Sequence, residues 1–255
     1  MVDIAVTGAA GRMGREVLAA AADREHCTVA FAVNRSPVDE LISGVVIEST
    51  DNFGELLADH DPDVVVDFTG PESAVEYAEA CAETGVGLVT GTTGFDENGI
   101  AELRYAREST AVLKASNFSR GVAALRLAVR EATAALPEAD IELTETHHNA
   151  KRDAPSGTAK TLLADIEDVR EDLSERVHGR AGDAPRSTDE IGVHARRAGD
   201  VAGEHEVLIG GKNETLSLTH RAGDRSIFAE GALDAAAWLA GREAGWYDFF
   251  EAIDA

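Results

Sequence analysis

Residues 145 to 159 read ETHHNAKRDAPSGTA, which sets His147, His148, Lys151, Arg152 and Asp153 close together. Imidazole suits proton transfer, because its ordinary pKa of about 6.5 lies near neutral pH. The ammonium of lysine can be tuned by its surroundings, whereas arginine stays charged and serves mainly to pair. Ser156 stands where an N-cap would, so the N–H groups that follow it, around Gly157 and Thr158, would form an anion site at a helix end. Histidine, lysine and a helix N-terminus together suit a small carboxylate-bearing substrate that needs a proton delivered. Two other readings remain open on these residues. One is a metal site at His147, His148 and Asp153, which wants further ligands that the local sequence does not supply. The other is a buried structural histidine pair.

A second chemistry-bearing stretch lies at the start. Gly8-Ala9-Ala10-Gly11-Arg12-Met13-Gly14 separates an apolar run, DIAVTG, from a helical pattern. Glycines there let the backbone turn and approach a pyrophosphate at the helix N-terminus, so the position predicts dinucleotide binding; a plain tight turn is the alternative. Arg12 either meets a phosphate or faces solvent. The second strand ends in Asn34-Arg35, where an NAD-binding domain often carries an acid for the ribose hydroxyls. A neutral amide beside an arginine accommodates the 2′-phosphate of NADPH. Gly91-Thr92-Thr93-Gly94 and Ala115-Ser116-Asn117-Phe118 each follow an apolar strand. They would sit at the carboxyl edge of a sheet, where ligands bind, and are expected to cradle the nicotinamide ribose. Asn117 is alternatively just a helix N-cap.

These groups need a scaffold. The first third alternates short β-branched runs (TVAFAV, DVVVDFTG, VGLVTG, TAVLKAS) with helical stretches at about 12–22, after Pro71 and after Asp96. That rhythm predicts an α/β fold, a Rossmann-like doubly wound parallel sheet with right-handed crossovers. After Asn117 it changes. FSRGVAALRLAVREATAAL reads as one amphipathic helix stopped by Pro137, followed by the strand IELTET, the histidine motif and a helix with Ala159, Leu162, Leu163 and Ile166 on one face. Residues 179–190 read as an exposed loop. IGVHARR, GEHEVLIG and NETLSLTH read as strands of an antiparallel or mixed sheet, the last two joined near Gly210-Gly211-Lys212. A helix at about 228–241 closes the pattern. The expected domains are a dinucleotide-binding domain, 1–117, completed by 229–255, and an α+β substrate-binding and oligomerisation domain, 118–228.

Composition bounds the partners. Asp and Glu total 47 against 23 Lys and Arg, a net charge of −24, which repels nucleic acid and anionic membranes. The surplus is spread along the chain, and lysine occurs only at 114, 151, 160 and 212. An acidic surface with scarce lysine fits a high-salt cytosol, where screening removes self-repulsion. No apolar run reaches the roughly 20 residues needed to span a bilayer, and the acidic, glycine-rich start does not read as a signal peptide. Cys27 and Cys81 form no CxxC pair, so a soluble protein of the cytoplasm is expected, without a disulfide scaffold or cysteine zinc site.

Taken together, GAAGRMG, DFTGPES, GTTGF, SNFSRGV, ETHHNAKRDAPSGTA, RAGDVAGEH and WLAGREAGWYDF closely resemble, in order and from end to end, the 4-hydroxy-tetrahydrodipicolinate reductase family, also called dihydrodipicolinate reductase. The HHxxKxDAPSGT segment is its specific signature. The resemblance implies reduction of a cyclic unsaturated imine dicarboxylate by NADH or NADPH on the diaminopimelate route to lysine, in a homotetramer built through the second domain's sheet. It makes His147 the proton donor and acceptor, Lys151 a proton donor, and His148, Gly157 and Thr158 substrate-binding. It places Gly8 to Met13, Gly91 to Thr93 and Ala115 to Phe118 on the cofactor. No metal is implied. Asn34 stands where many members carry an acid, and Asn149-Ala150 where many are more basic, with Arg152 partly restoring the charge. Arg197 and His205 match as well, with no role assigned beyond sheet or interface structure. A non-catalytic NAD(P)H sensor would not need His147 and Lys151 together. An aspartate-semialdehyde type of dehydrogenase would need a catalytic cysteine, and Cys27 and Cys81 are poorly placed for one.

Overall fold

A computed structural model describes residues 1–36 and 38–253, and the chain divides into two compact units, Met1–Phe118 with Arg225–Ala255, and Ser119–Asp224. In the first unit the elements run β1 (Val2–Thr7), α1 (Arg12–Ala22), β2 (Cys27–Asn34), β3 (Ile47–Ser49), α2 (Phe53–His60), β4 (Val64–Asp67), α3 (Pro71–Thr84), β5 (Gly87–Thr90), α4 (Glu97–Ala106) and β6 (Ala111–Lys114). Three later elements complete it: α7 (Ser226–Leu239), β12 (Gly245–Tyr247) and α8 (Phe249–Ile253).

These strands form a parallel sheet in the order β12-β6-β5-β4-β1-β2-β3. Every residue of β4 and β5 is buried, which a run such as VVVD requires when helices cover both faces. Tyr77, Cys81, Leu57 and Leu103 of α2 to α4 pack on one face, against Phe31, Val65, Leu88 and Val112. On the other face α7 packs along α1, β4 and β5, burying Leu233 and Leu239. The strand order reverses direction at β1 and β4, so their carboxyl ends flank the crevice where an open α/β sheet holds its ligand.

The second unit holds α5 (Arg120–Ala135), β7 (Asp140–His147), α6 (Gly157–Val169), β8 (Glu175–His178), β9 (Glu190–Arg197), β10 (Glu204–Gly210) and β11 (Thr215–Arg221). Its sheet, β11-β10-β7-β9-β8, is mixed: β7 runs parallel to β9 and antiparallel to β10, and β10 and β11 form a hairpin. Alternation along β7 turns Ile141 and Leu143 toward Leu162, Leu163 and Ile166 of α6 and Val129 of α5. The amphipathic stripe read from Ala159 to Ile166 is fully buried.

Several expectations need correction. Ser119, not Asn117, caps α5: its hydroxyl accepts the Val122 N–H. The loop at 179–190 ends in a buried residue, because Glu190 opens β9 and pairs with Arg180 and Arg186. The closing helix is α7, two residues earlier than read. β3, α2, β8, β12 and α8 were not read at all. Each has eight residues or fewer, too few for a period to declare itself.

Candidate active site

The two sets of candidate residues lie in different units. In the first, Gly8 turns the chain after β1 at φ +62°, the left-handed region that favours glycine. A side chain on Gly14 would stand 2.3 Å from the Gly8 carbonyl oxygen, so the turn and α1 meet at a distance only glycine allows. Gly8 and Gly11 line a groove of about 1000 Å³, with Asn34, Arg35, Ser73 and Tyr77 among its walls. Asn34 bridges backbone, accepting from the Ala10 N–H at 3.4 Å and donating to the Ser36 carbonyl at 3.0 Å. Arg35 donates to the Ser73 hydroxyl at 2.6 Å, near the start of α3. Ala9 is buried with its N–H on the Val33 carbonyl, Arg12 is exposed and Met13 half-buried. A glycine turn entering a helix, a nearby amide and a cation at the end of β2 fit a dinucleotide.

A buried carboxylate fixes the edge of this sheet. Asp67, at the end of β4, accepts hydroxyl hydrogen bonds from Thr7, Thr69, Thr90 and Thr92 at 2.6–2.8 Å. It thereby ties together the carboxyl ends of β1, β4 and β5. Thr92 is thus turned inward, while Gly91 is half-buried and Thr93 exposed. The Phe118 ring is likewise core, packed edge-on against Phe68 and Phe249. Of the run 115–118, Ser116 is exposed and Ala115 and Asn117 are half-buried.

In the second unit β7 ends at His147, and the ring stands half-buried above Glu145, two residues back on the same face of the strand. Glu145 is fully buried. It receives four groups: Nδ1 of His147, both terminal nitrogens of Arg197 at 2.7 and 2.9 Å, and the Ser156 N–H at 3.2 Å. Arg197 also donates to the Asp153 carbonyl. Burial pushes the Glu145 carboxyl up, but the bonds from Arg197 and His147 outweigh it and hold it below the usual carboxylate range. His147 is lowered, first by burial and then by the nearby charges of Lys151 and Arg197, with Glu145 opposing.

Ser156 caps α6, its hydroxyl accepting the Ala159 N–H at 3.1 Å, so the positive end of α6 lies at Gly157 and Thr158. The same hydroxyl is 3.0 Å from Nε2 of His205, whose ring packs edge-on to His147 with centroids 5.2 Å apart. Burial drives His205 down to about 4, so it is neutral at ordinary pH. Lys151 pairs with Asp153 at 2.8 Å. The structure therefore brings together His147, Lys151 and the start of α6, with His148 at the foot of the turn whose carbonyl accepts the Lys151 N–H. No cluster of three or more His, Cys, Asp or Glu side chains that could hold a metal ion occurs among the described residues.

Sequence reading missed Glu145 altogether and left Arg197 and His205 without a role. One signal for Glu145 was available. In IELTETH it falls on the core-facing alternation of Ile141 and Leu143, where a carboxylate is costly unless paired. Arg197 reaches it only because β9 sets Arg197 beside His147, a register no local pattern reveals.

Comparisons with known proteins identify the relatives of this chain. Residues 2–118 match the family described as "Dihydrodipicolinate reductase, N-terminus" and residues 121–253 the one described as "Dihydrodipicolinate reductase, C-terminus". A 4-hydroxy-tetrahydrodipicolinate reductase from Natronomonas pharaonis is 53% identical, over 99% of this chain and 100% of that one. Another, from Haloarcula marismortui, is 50% identical over the whole of both chains. A solved dihydrodipicolinate reductase from Paenisporosarcina sp. TG-14, with dipicolinate bound, superposes with a TM-score of 0.81 at 25% identity, over 97% of each chain.

Proposed function

We propose a role for each residue of these two sites from one premise: the chain belongs to the dihydrodipicolinate reductase family. It is an oxidoreductase that reduces 4-hydroxy-tetrahydrodipicolinate to tetrahydrodipicolinate in lysine biosynthesis, with NADPH or NADH as reductant. The nicotinamide, when bound, supplies the hydride. The chain's own residues must hold a dicarboxylate and supply a proton to the carbon left electron-rich.

One observation carries the assignment: a half-buried histidine, a lysine and a helix N-terminus converge within residues 147–158 of a strongly acidic protein. Lys151 and the N–H groups at Gly157 and Thr158 bind the substrate carboxylates, with His148 beside them. The planar dicarboxylate named with the Paenisporosarcina enzyme supports a ligand of this shape and charge. His147 donates the proton, and Lys151 is a second proton source. The glycine turn from Gly8 to Met13, the Gly91–Thr93 loop and the 115–118 run hold the cofactor in the first unit, Phe118 through its backbone.

A direct assay tests both the reaction and the cofactor reading. With freshly synthesised substrate, the folded protein in molar KCl is expected to oxidise NADPH at least as well as NADH. Asn34 carries no charge to repel a 2′-phosphate, and Arg35 can pair with it. Arg35→Ala should raise KM for NADPH about tenfold while sparing NADH. Equal losses for both would show that Arg35 does not read the phosphate, and no oxidation of either would reject the activity.

The second sheet supplies an assembly surface. Its face toward α5 and α6 is core, while the opposite face carries Thr144, Glu206, Ser217 and Leu208, the last 37% exposed. We assign this face to a homotetramer, in keeping with a small-molecule enzyme of the cytoplasm. Light scattering should give about four chain masses, and a monomer at micromolar concentration would remove the assignment.

A further inference from the structure

We infer that Glu145 is the positioning residue of the proton-donating histidine: it holds the Nδ1 proton of His147, so that the proton leaves for substrate from Nε2. This inference rests on His147 being the donor and adds which nitrogen acts and what selects it. Three observations converge. Nδ1 is engaged with Glu145, which leaves Nε2 as the nitrogen free to face a ligand. Glu145 is itself clamped by the Arg197 fork and the Ser156 N–H, so its oxygens are already receiving hydrogen bonds on the other side. Beside Nε2 stands Gly203, where a side chain would come within 3.3 Å of that nitrogen.

The proton count is closed. In the active form the imidazolium carries two protons, one shared with Glu145 and one on Nε2. The Nε2 proton goes to the substrate carbon as the N–H bond breaks and the C–H bond forms. The neutral ring that remains keeps its proton on Nδ1, still bonded to Glu145. Glu145 does not take that proton, because Arg197 holds it ionised. The charged and titratable groups around the ring divide in their effect. Glu145, on β7, favours the imidazolium, while Lys151 from the turn and Arg197 from β9 oppose it. His205, on β10, is neutral and sets the ring's orientation by its edge-on contact. Fixing a tautomer is what makes a histidine useful as an acid, since a ring turned over offers the wrong nitrogen.

The test uses the full-length protein in molar KCl. Nitrogen NMR of the wild type, with the His147 signals assigned by their absence in His147→Gln, should show the neutral ring protonated on Nδ1. A neutral ring protonated on Nε2 would overturn the inference without any substitution in the cluster. Glu145→Gln should lower kcat about 10²-fold, within the range general acid catalysis supplies, and move the alkaline limb of the kcat profile to lower pH. The direction follows from charge: removing the protein carboxylate that favours the imidazolium makes it titrate away earlier. KM for NADPH should not change, because the cofactor groove belongs to the other unit. Glu145→Asp should restore part of the rate and of the profile. A folded Glu145→Gln with wild-type kcat and limb would overturn the inference. If Glu145→Gln does not fold, the wild-type spectrum decides. The two readings fail separately: an active His147→Gln would remove the donor role itself, whereas an impaired His147→Gln beside an unimpaired Glu145→Gln would remove only the positioning.

Discussion

Moved from molar KCl to dilute buffer, the protein is expected to lose about 10 °C of melting temperature, and activity with it. The surplus of 24 negative charges is distributed along the whole chain. At 0.01 M salt the Debye length is about 30 Å, so each surplus carboxylate feels most of the others; at 1 M it is about 3 Å and the repulsion is confined to neighbours. Screening also weakens favourable pairs such as Arg176–Glu167 and Arg15–Glu40. Exposed pairs are worth at most about 1 kcal/mol each, and with only 23 Lys and Arg against 47 acids the repulsive sum prevails. A few kcal/mol of net effect at about 2–4 °C per kcal/mol gives the shift stated. Calorimetric melting in the two buffers measures it, and equal midpoints would reject salt dependence.

The sequence made the chemistry legible further than the geometry. The strand-helix rhythm up to Lys114 declared the parallel sheet, because strands buried on both faces leave unbroken apolar runs such as VVVD. The glycine turn was legible for a similar reason: only glycine tolerates the φ at Gly8 and the backbone approach at Gly14. β3 and β12, three residues each, borrow their order from neighbouring strands and carry no pattern of their own. In the site, His147, Lys151 and the Ser156 cap lie within ten residues and were read together. What holds them was not. Arg197 lies 52 residues from Glu145, and the two meet only through the parallel register of β7 and β9. Asp67 likewise gathers threonines from three strand ends, a convergence that exists only in the folded sheet.

Replacing His147 by glutamine is expected to lower kcat by about 10² to 10⁴, the usual contribution of a positioned acid, with NADPH affinity unchanged. Hydride adds to one end of the conjugated C=C–C=N system and leaves an enamine carbon that must be protonated. In the free protein burial, Lys151 and Arg197 keep His147 below its ordinary pKa. Two substrate carboxylates arriving beside the ring counter those cations and favour the imidazolium, so the ring is charged when its proton is needed. Glutamine keeps the bulk and a hydrogen bond but has no proton to give at this pH. Lys151→Ala should differ in kind, lowering kcat and also raising KM, since it removes a carboxylate partner as well as a proton source. The most direct measurement is the single-turnover rate of NADPH oxidation by His147→Gln with saturating substrate, in molar KCl, with chemistry shown to be rate-limiting. A rate at least about 100-fold below wild type, with NADPH binding intact, is the result this account predicts. Retention of more than about a tenth of the wild-type rate would contradict it, since an acid worth that little is not the proton donor.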